Sequence, residues 1–296
     1  MQLTKTKIEL KLSVAMYTLG RKLAISYYRT KFRVLSAVSK KKAAEIAFEL
    51  FCTPQFRYKK PFTKNFMEAE KLHFDIHGET VRGYRWNKGG NKKVLIAHGF
   101  NSSVASFDHY IFPLIQKGYE VLAFDAPAHG RSTGKTINAA LYCDMILAIN
   151  EKYGPVKSFM AHSFGGLGVS LALEEIPHDE SYRLVLIAPA TESKSAIDFF
   201  FSFMKLNAAV RKEFDELIHN VRHKPSEWYS VSRAIKNIHA KVLWVHDKTD
   251  DITPWPDAQK VMEQNYRHVD FVVTDGLGHR KIFRNNEVAQ SIVDFL

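Results

Sequence analysis

Cysteine is almost absent from this chain. Only Cys52 and Cys143 occur in 296 residues, too few for a disulfide framework or a thiolate metal cluster, and a reducing, cytoplasmic setting is the expectation. No metal or cofactor is expected. Long apolar runs are also missing: the uncharged stretch from Leu12 to Gly20 is far short of the roughly 20 residues that cross a bilayer. It lies within a charged, helix-like pattern without a cleavage site, so no signal peptide is expected. Acidic residues are scarce in one region only. Residues 1–64 carry 15 Lys/Arg against 3 Asp/Glu, whereas the rest of the chain carries 27 against 28. The formal net charge of +11 thus belongs to an N-terminal segment and not to the body. That segment resembles no nucleic-acid-binding module, so no nucleic-acid partner is expected. What is present is ordinary for a globular protein: 46% hydrophobic and 25% charged residues, in a length that holds one large α/β domain or two small ones.

The basic segment reads as helix over residues 5–38. On a helical wheel Lys7, Lys11, Lys22, Arg29 and Arg33 fall on one side, and Leu12, Met16, Leu19, Leu23, Tyr27 and Val34 on the other. A basic amphipathic helix of this kind lies on an anionic membrane surface, or packs its apolar face on the body or on a second subunit. Both readings stay open. A second helix at Ala43–Phe51 ends at Thr53-Pro54, and the basic stretch Arg57–Lys64 reads as a connector. Residues 1–64 are therefore set apart as a helical extension, with residues 65–296 forming the main domain.

From Ala69 onward the periodicity changes. Leu72–Ile76 and Val81–Trp86 flank His77-Gly78-Glu79 as a β-hairpin. Short apolar strands then alternate with helices. The strands are Lys93–Ala97, Val121–Phe124, Val156–His162, Leu184–Ile187, Val242–Val245 and Phe271–Val273. Helices are expected around Asp108–Gln116, Ile137–Lys152, Gly166–Glu175, Pro256–Gln264 and Glu287–Phe295. This alternation indicates an α/β fold with a mostly parallel, doubly wound sheet, whose site lies at the carboxyl ends of its strands. Residues 191–237 break the rhythm with an aromatic-rich helical insert containing Phe199, Phe200, Phe201, Phe203 and Trp228.

The chain is organised around Val156–Gly166, where an apolar strand stops at Ser163 and a helix begins directly behind it. Strand, sharp turn and helix with a serine at the apex form a nucleophile elbow. Ala161 holds the first small position, so the pattern is A-x-S-x-G. Before it come His98-Gly99-Phe100 after one strand and Asp125…His129-Gly130-Arg131-Ser132 after the next; an aspartate loop follows a late strand and a histidine follows the last. In this order the signals resemble the α/β-hydrolase superfamily, closest to its single-domain esterases, lipases and serine-aminopeptidase-like members, over about residues 69–296.

The resemblance implies a nucleophile, an acid and a base in the order Ser163, Asp250, His279. A serine hydroxyl is a poor nucleophile near neutral pH and needs an adjacent base held by an oriented partner. His279 follows the last strand, whereas His268 precedes it. Within Asp247-Lys248-Thr249-Asp250-Asp251, the family pattern puts Asp250 in the acid position; Asp247, where glycine is common, and Asp251 read as solvated loop charges. The oxyanion donors implied are the backbone N–H groups of Phe100 and Phe164. His98 and Gly99 shape their loop, and His129, Gly130 and Ser132 form a structural turn. In this superfamily the 191–237 insert corresponds to a cap over the catalytic pocket. Its aromatics suit a small-molecule ester with an apolar acyl or aromatic group; at the same helical spacing they also suit packing of the cap itself. The implied activity is cofactor-independent hydrolysis of carboxylic esters through an acyl-enzyme. Alternatives are a thioesterase or peptidase using the same three residues, a membrane-associated lipid hydrolase, and a non-catalytic binding protein of the same fold.

Overall fold

The structure is a computed structural model and describes residues 20, 22–57 and 63–296. The part of the expected first helix that falls on residues 5–19 lies outside the described residues. Contacts divide the described residues into two units, one within 20–51 and 197–223, the other within 52–196 and 224–296.

In chain order the helical stretch 22–38 (α1) is followed by α2 (Lys40–Cys52) and the short α3 (Lys64–Glu68). The hairpin β1 (Glu70–Ile76) and β2 (Glu79–Trp86) leads to β3 (Lys92–Ala97), α4 (Asp108–Gln116), β4 (Tyr119–Asp125) and α5 (Ala139–Tyr153). Next come β5 (Ser158–His162), α6 (Phe164–Leu173) and β6 (Arg183–Ile187), then α7 (Ser193–Met204), α8 (Ala208–Arg222) and α9 (Val231–Ala234). The chain closes with β7 (Lys241–Asp247), α10 (Trp255–Met262), β8 (Val269–Thr274), α11 (Gly278–Lys281) and α12 (Asn286–Phe295).

The eight strands form one mixed sheet in the order β1-β2-β4-β3-β5-β6-β7-β8. The β1–β2 and β2–β4 pairs are antiparallel, and every pair from β4 onward is parallel. The fold is that of an α/β-hydrolase. Its central strands are covered on both faces, so they read as unbroken apolar runs instead of alternating ones. All seven residues of β4 and all five of β5 are buried. On one face α4 and α12 pack together over a core that includes Phe66, Trp86, Phe107, Tyr110 and Ile292; elsewhere α5 packs on α6, and α6 on α9. Caps set the helix starts where the periodicity alone is vague. Asn138 accepts from the Leu141 amide to open α5, and Asn285 from the Val288 amide to open α12.

The helical unit contains α1, α2, the greater part of α7, and α8. Ser39 separates α1 from α2, its hydroxyl accepting from the Lys42 amide at 3.2 Å to start α2 three residues before the expected Ala43. The insert's aromatics are largely used in this unit's own packing. The Phe214 ring of α8 meets Phe201 of α7 at 5.0 Å, and Phe48 and Phe51 of α2 at 5.5 and 5.8 Å, all edge to face. Phe199 is the exception, exposed and stacked on Phe203. The rest of the 191–237 insert, residues 191–196 and 224–237, belongs to the sheet unit.

Candidate active site

Ser163 lies between the last residue of β5 and the first of α6, with φ 56° and ψ −122°. A non-glycine residue held there is strained and persists only where its surroundings over-determine it. They do so here: the Ser163 amide donates to the Ile187 carbonyl at 3.0 Å, and the Ser163 carbonyl accepts from Ala190 and Gly166 at 2.9 Å each. Space accounts for the glycines around it. A Cβ on Gly99 would stand 2.8 Å from the Ser163 Cβ, and one on Gly165 would stand 2.7 Å from the carbonyl oxygens of Ala97 and His98. Ala161, where glycine is commoner, is a fully buried residue of β5 paired with Ala97 and Leu186.

The structure brings Ser163, His279 and Asp250 into one hydrogen-bonded chain. The His279 Nδ1–H donates to Asp250 Oδ2 at 2.8 Å, which leaves Nε2 to accept from the Ser163 hydroxyl at 3.0 Å. All three residues are buried. His279 opens into the site from α11, and Asp250 from the turn after β7. Asp250 Oδ1 accepts from the amides of Ile252 and Thr253, both at 2.8 Å, and Oδ2 also accepts from the Thr253 hydroxyl at 2.9 Å. Burial disfavours its ionised form, but the hydrogen bond and charge of His279 and these amides outweigh that and hold the carboxyl below its ordinary pKa.

Phe100 and Phe164 lie beside one another next to Ser163, their rings edge to face at 5.7 Å. Phe164 opens α6, where first-turn N–H groups have no intrahelical acceptor and face whatever sits before the helix. Phe100 directly follows Gly99, whose close approach to Ser163 carries the loop after β3 to that side chain.

One reading of the acid loop is corrected. Asp247 is not a solvated loop charge but the buried last residue of β7. The strand runs two residues past its apolar part because both polar side chains are satisfied internally. The Asp247 carboxylate accepts from the hydroxyls of Thr249 and Thr274, both at 2.6 Å, and from the amides of Thr249 and Leu277, both at 2.9 Å. Burial opposes its ionisation, yet this cage of donors holds the carboxyl far below the usual carboxylate range. Asp247 thereby ties the turn carrying Asp250 to the loop carrying His279. Asp251 is exposed.

Sequence reasoning missed three further neighbours of the Ser–His–Asp chain. Thr253 is buried, bonded to Asp250 and within 3.1 Å of His279 Nδ1. His246, fully buried on β7, accepts from Trp244 Nε1–H at Nδ1 and donates from Nε2–H to the Thr253 carbonyl at 2.9 Å. His162, adjacent to the serine, donates from Nε2–H to the His279 carbonyl at 3.1 Å. A histidine just before the elbow serine was the one signal in the sequence that could have drawn attention to the last of these.

Two more buried histidines brace the site's floor as neutral bridges. His98 accepts from the Ala126 amide and donates to the Gly99 carbonyl, both at 2.9 Å. His129 accepts from the Asn101 amide at 3.3 Å and donates to the Pro127 carbonyl at 2.9 Å. Burial lowers the pKa of His98 to about 4, and that of His129 and His162 to about 3. Among the described residues no group of three or more His, Cys, Asp or Glu side chains could hold a metal ion.

Fold and site together define a hydrolase of the α/β-hydrolase superfamily. The family model described as "Serine aminopeptidase, S33" matches residues 90–238, half of the chain, and the chain belongs to that family. A curated relative, the putative carbamate hydrolase RutD of Variovorax paradoxus, is 28% identical over 120 residues, 38% of this chain and 41% of the relative. The match therefore spans well under two thirds of that protein. Among solved structures, the Pyrococcus furiosus esterase Pf2001 superposes with a TM-score of 0.59 at 22% identity, over 83% of this chain and 97% of its own. Est1E from Butyrivibrio proteoclasticus, solved with ferulic acid bound, gives a TM-score of 0.58 at 20% identity, over 76% and 97%. At these identities the two structures speak to the fold alone.

Proposed function

We propose that this protein is a serine esterase in which Ser163 attacks the carbonyl of a carboxylic ester and is left acylated until water releases the acid. The observation that carries this reading is the single imidazole of His279, hydrogen-bonded to Ser163 at one nitrogen and to Asp250 at the other. In the reaction His279 Nε2 takes the hydroxyl proton as Oγ bonds to the carbonyl carbon, then returns it to the leaving alcohol. Asp250 keeps the Nδ1–H tautomer and stabilises the transient imidazolium without taking the proton. The oxyanion is stabilised by the amides of Phe100 and Phe164, each donor worth about 3 kcal/mol of transition-state stabilisation. Deacylation repeats the cycle with water in place of the serine hydroxyl.

Ester cleavage is favoured because it asks least of a Ser–His–Asp chain, an alcohol being a better leaving group than an amine. A second reading, cleavage of amides or carbamates, is favoured by the family's aminopeptidase name and the carbamate hydrolase relative. The deciding experiment is a panel of matched nitrophenyl esters, thioesters, carbamates and aminoacyl amides. Esters with apolar or aromatic acyl groups should show the highest kcat/KM. A panel in which only amides or carbamates turn over contradicts the ester reading and leaves the residue roles intact.

A further inference from the structure

The apolar stripe of α1 faces outward. Leu23, Tyr27, Val34 and Val38 are 62%, 61%, 59% and 83% exposed, and with exposed Thr30 they follow one another at helical spacings of three and four residues. The inward face is a different set of residues: Phe32 is 2% exposed, and Arg29, which the wheel puts among the basic residues, turns in to the Phe203 carbonyl and ring. The stripe runs for about 22 Å at 1.5 Å per residue. It contrasts with the other exposed apolar side chains, such as Met67, Phe112 and Ile252, which are scattered singly over the surface. A contiguous exposed apolar strip marks an interaction site.

Charge decides between its occupants. From residue 22 to residue 42 the chain has seven Lys/Arg and no Asp/Glu. Lys22 and Arg33 are exposed on one flank of the stripe, Lys31 lies on the other with its ammonium near the Tyr27 and Tyr28 rings, and exposed Lys40 and Lys41 follow at its end. Two copies meeting along this strip would bring two like-charged segments together, which is repulsive. An anionic lipid surface offers the opposite charge, and its acyl boundary accepts the apolar side chains while the lysines reach the headgroups. The tyrosine suits the same boundary, with an apolar ring and a polar tip. A helix with one apolar and one basic face lies in the plane of the interface.

We propose that α1 lies on anionic bilayers through Leu23, Tyr27, Val34 and Val38, making this a peripheral membrane-binding protein whatever bond it hydrolyses. The test is co-sedimentation of the full chain with phosphatidylcholine vesicles prepared with and without phosphatidylglycerol. The wild type should bind the anionic vesicles, and less well as salt is raised. Leu23→Glu/Val34→Glu/Val38→Glu, with all three changes at exposed positions, should lower partitioning at least about tenfold while leaving thermal unfolding and ester turnover in solution unchanged. Ser163→Ala should bind as the wild type does, which separates this proposal from the catalytic one. Unaltered partitioning of the triple variant, equal binding to neutral vesicles, or a wild type that binds neither kind of vesicle would overturn it. So would a wild-type dimer in sedimentation equilibrium that the triple variant converts to monomer, because the occupant would then be a second copy.

Discussion

At the carboxyl edge of the sheet, charged and polar side chains are buried and partnered, whereas along α1 apolar side chains stand in solvent among lysines and arginines. The two regions break the inside–outside rule in opposite directions. A buried carboxylate or imidazole is costly unless its hydrogen bonds are made, and at the sheet edge they are made in layers. Ser163, His279 and Asp250 form the first, Thr253 and His246 hold Asp250 from behind, and Asp247 fastens the two loops together. No such layering surrounds Leu23 or Val38; what accompanies them is charge of one sign. Burial with hydrogen-bonded partners, as at Ser163, His279, Asp250 and Asp247, is the signature of groups whose geometry must be fixed, and exposure with a uniform charge is the signature of contact with something else.

The comparison can be sharpened by variants at the sheet edge, beginning with the largest effect. Ser163→Ala or His279→Ala should lower kcat toward a short nitrophenyl ester by roughly 10⁴-fold or more with little change in folding. Asp250→Asn should follow at about 10³–10⁴-fold, because the amides of Ile252 and Thr253 hold the carbonyl oxygen, which leaves an NH2 donor facing Nδ1 and favours the wrong tautomer. Asp247→Asn should behave differently, costing about 2–3 kcal/mol in denaturant unfolding, since its amide group faces donors that need an acceptor. If Asp247→Asn leaves stability intact and abolishes turnover, the division of labour between the two aspartates is wrong. The smallest activity effect is expected for Thr253→Val, about tenfold in kcat/KM, read as a looser hold on Asp250.

Acid should expose the same architecture. His98, His129 and His162 are neutral when folded, with pKa values pushed down to about 4, 3 and 3, against 6.5 when unfolded. Below about pH 6.5 the unfolded chain takes up protons that the folded chain does not, so stability is fully present above that pH and is lost as pH falls toward 3. Each histidine contributes a slope of about 1.4 kcal/mol per pH unit inside the window. Urea midpoints measured between pH 7 and pH 4.5 should fall steadily, and His129→Gln should flatten the slope; a flat wild-type profile contradicts the assignment of neutral bridges.

Much of the fold was legible because its signals are local. The hairpin about His77-Gly78, the strands leading to Ala97, His162 and Ile187, and the turn at Ser163 follow from periodicity and turn chemistry in short windows. Asp247 was misread for the complementary reason. Two of its four donors, on Thr274 and Leu277, lie some 30 residues away, and a polar residue beside a turn carries no local mark of being buried. Thr253 and His246 were missed for a different reason: their partners, Asp250, Trp244 and each other, lie within seven residues, but only the irregular turn after β7 brings Asp250, Thr253 and His246 together, and a turn of that kind has no period to read. On α1 the wheel sorted most faces correctly and could not say which one was turned outward. Arg29 shows why: a single long side chain that finds a carbonyl moves from the charged face to the inner one.

The most direct measurement is labelling with a fluorophosphonate followed by peptide mass spectrometry. The account predicts one adduct, on Ser163, absent from Ser163→Ala and strongly slowed in His279→Ala. Labelling that persists in Ser163→Ala, or a wild type that fails to react while cleaving esters, would contradict it.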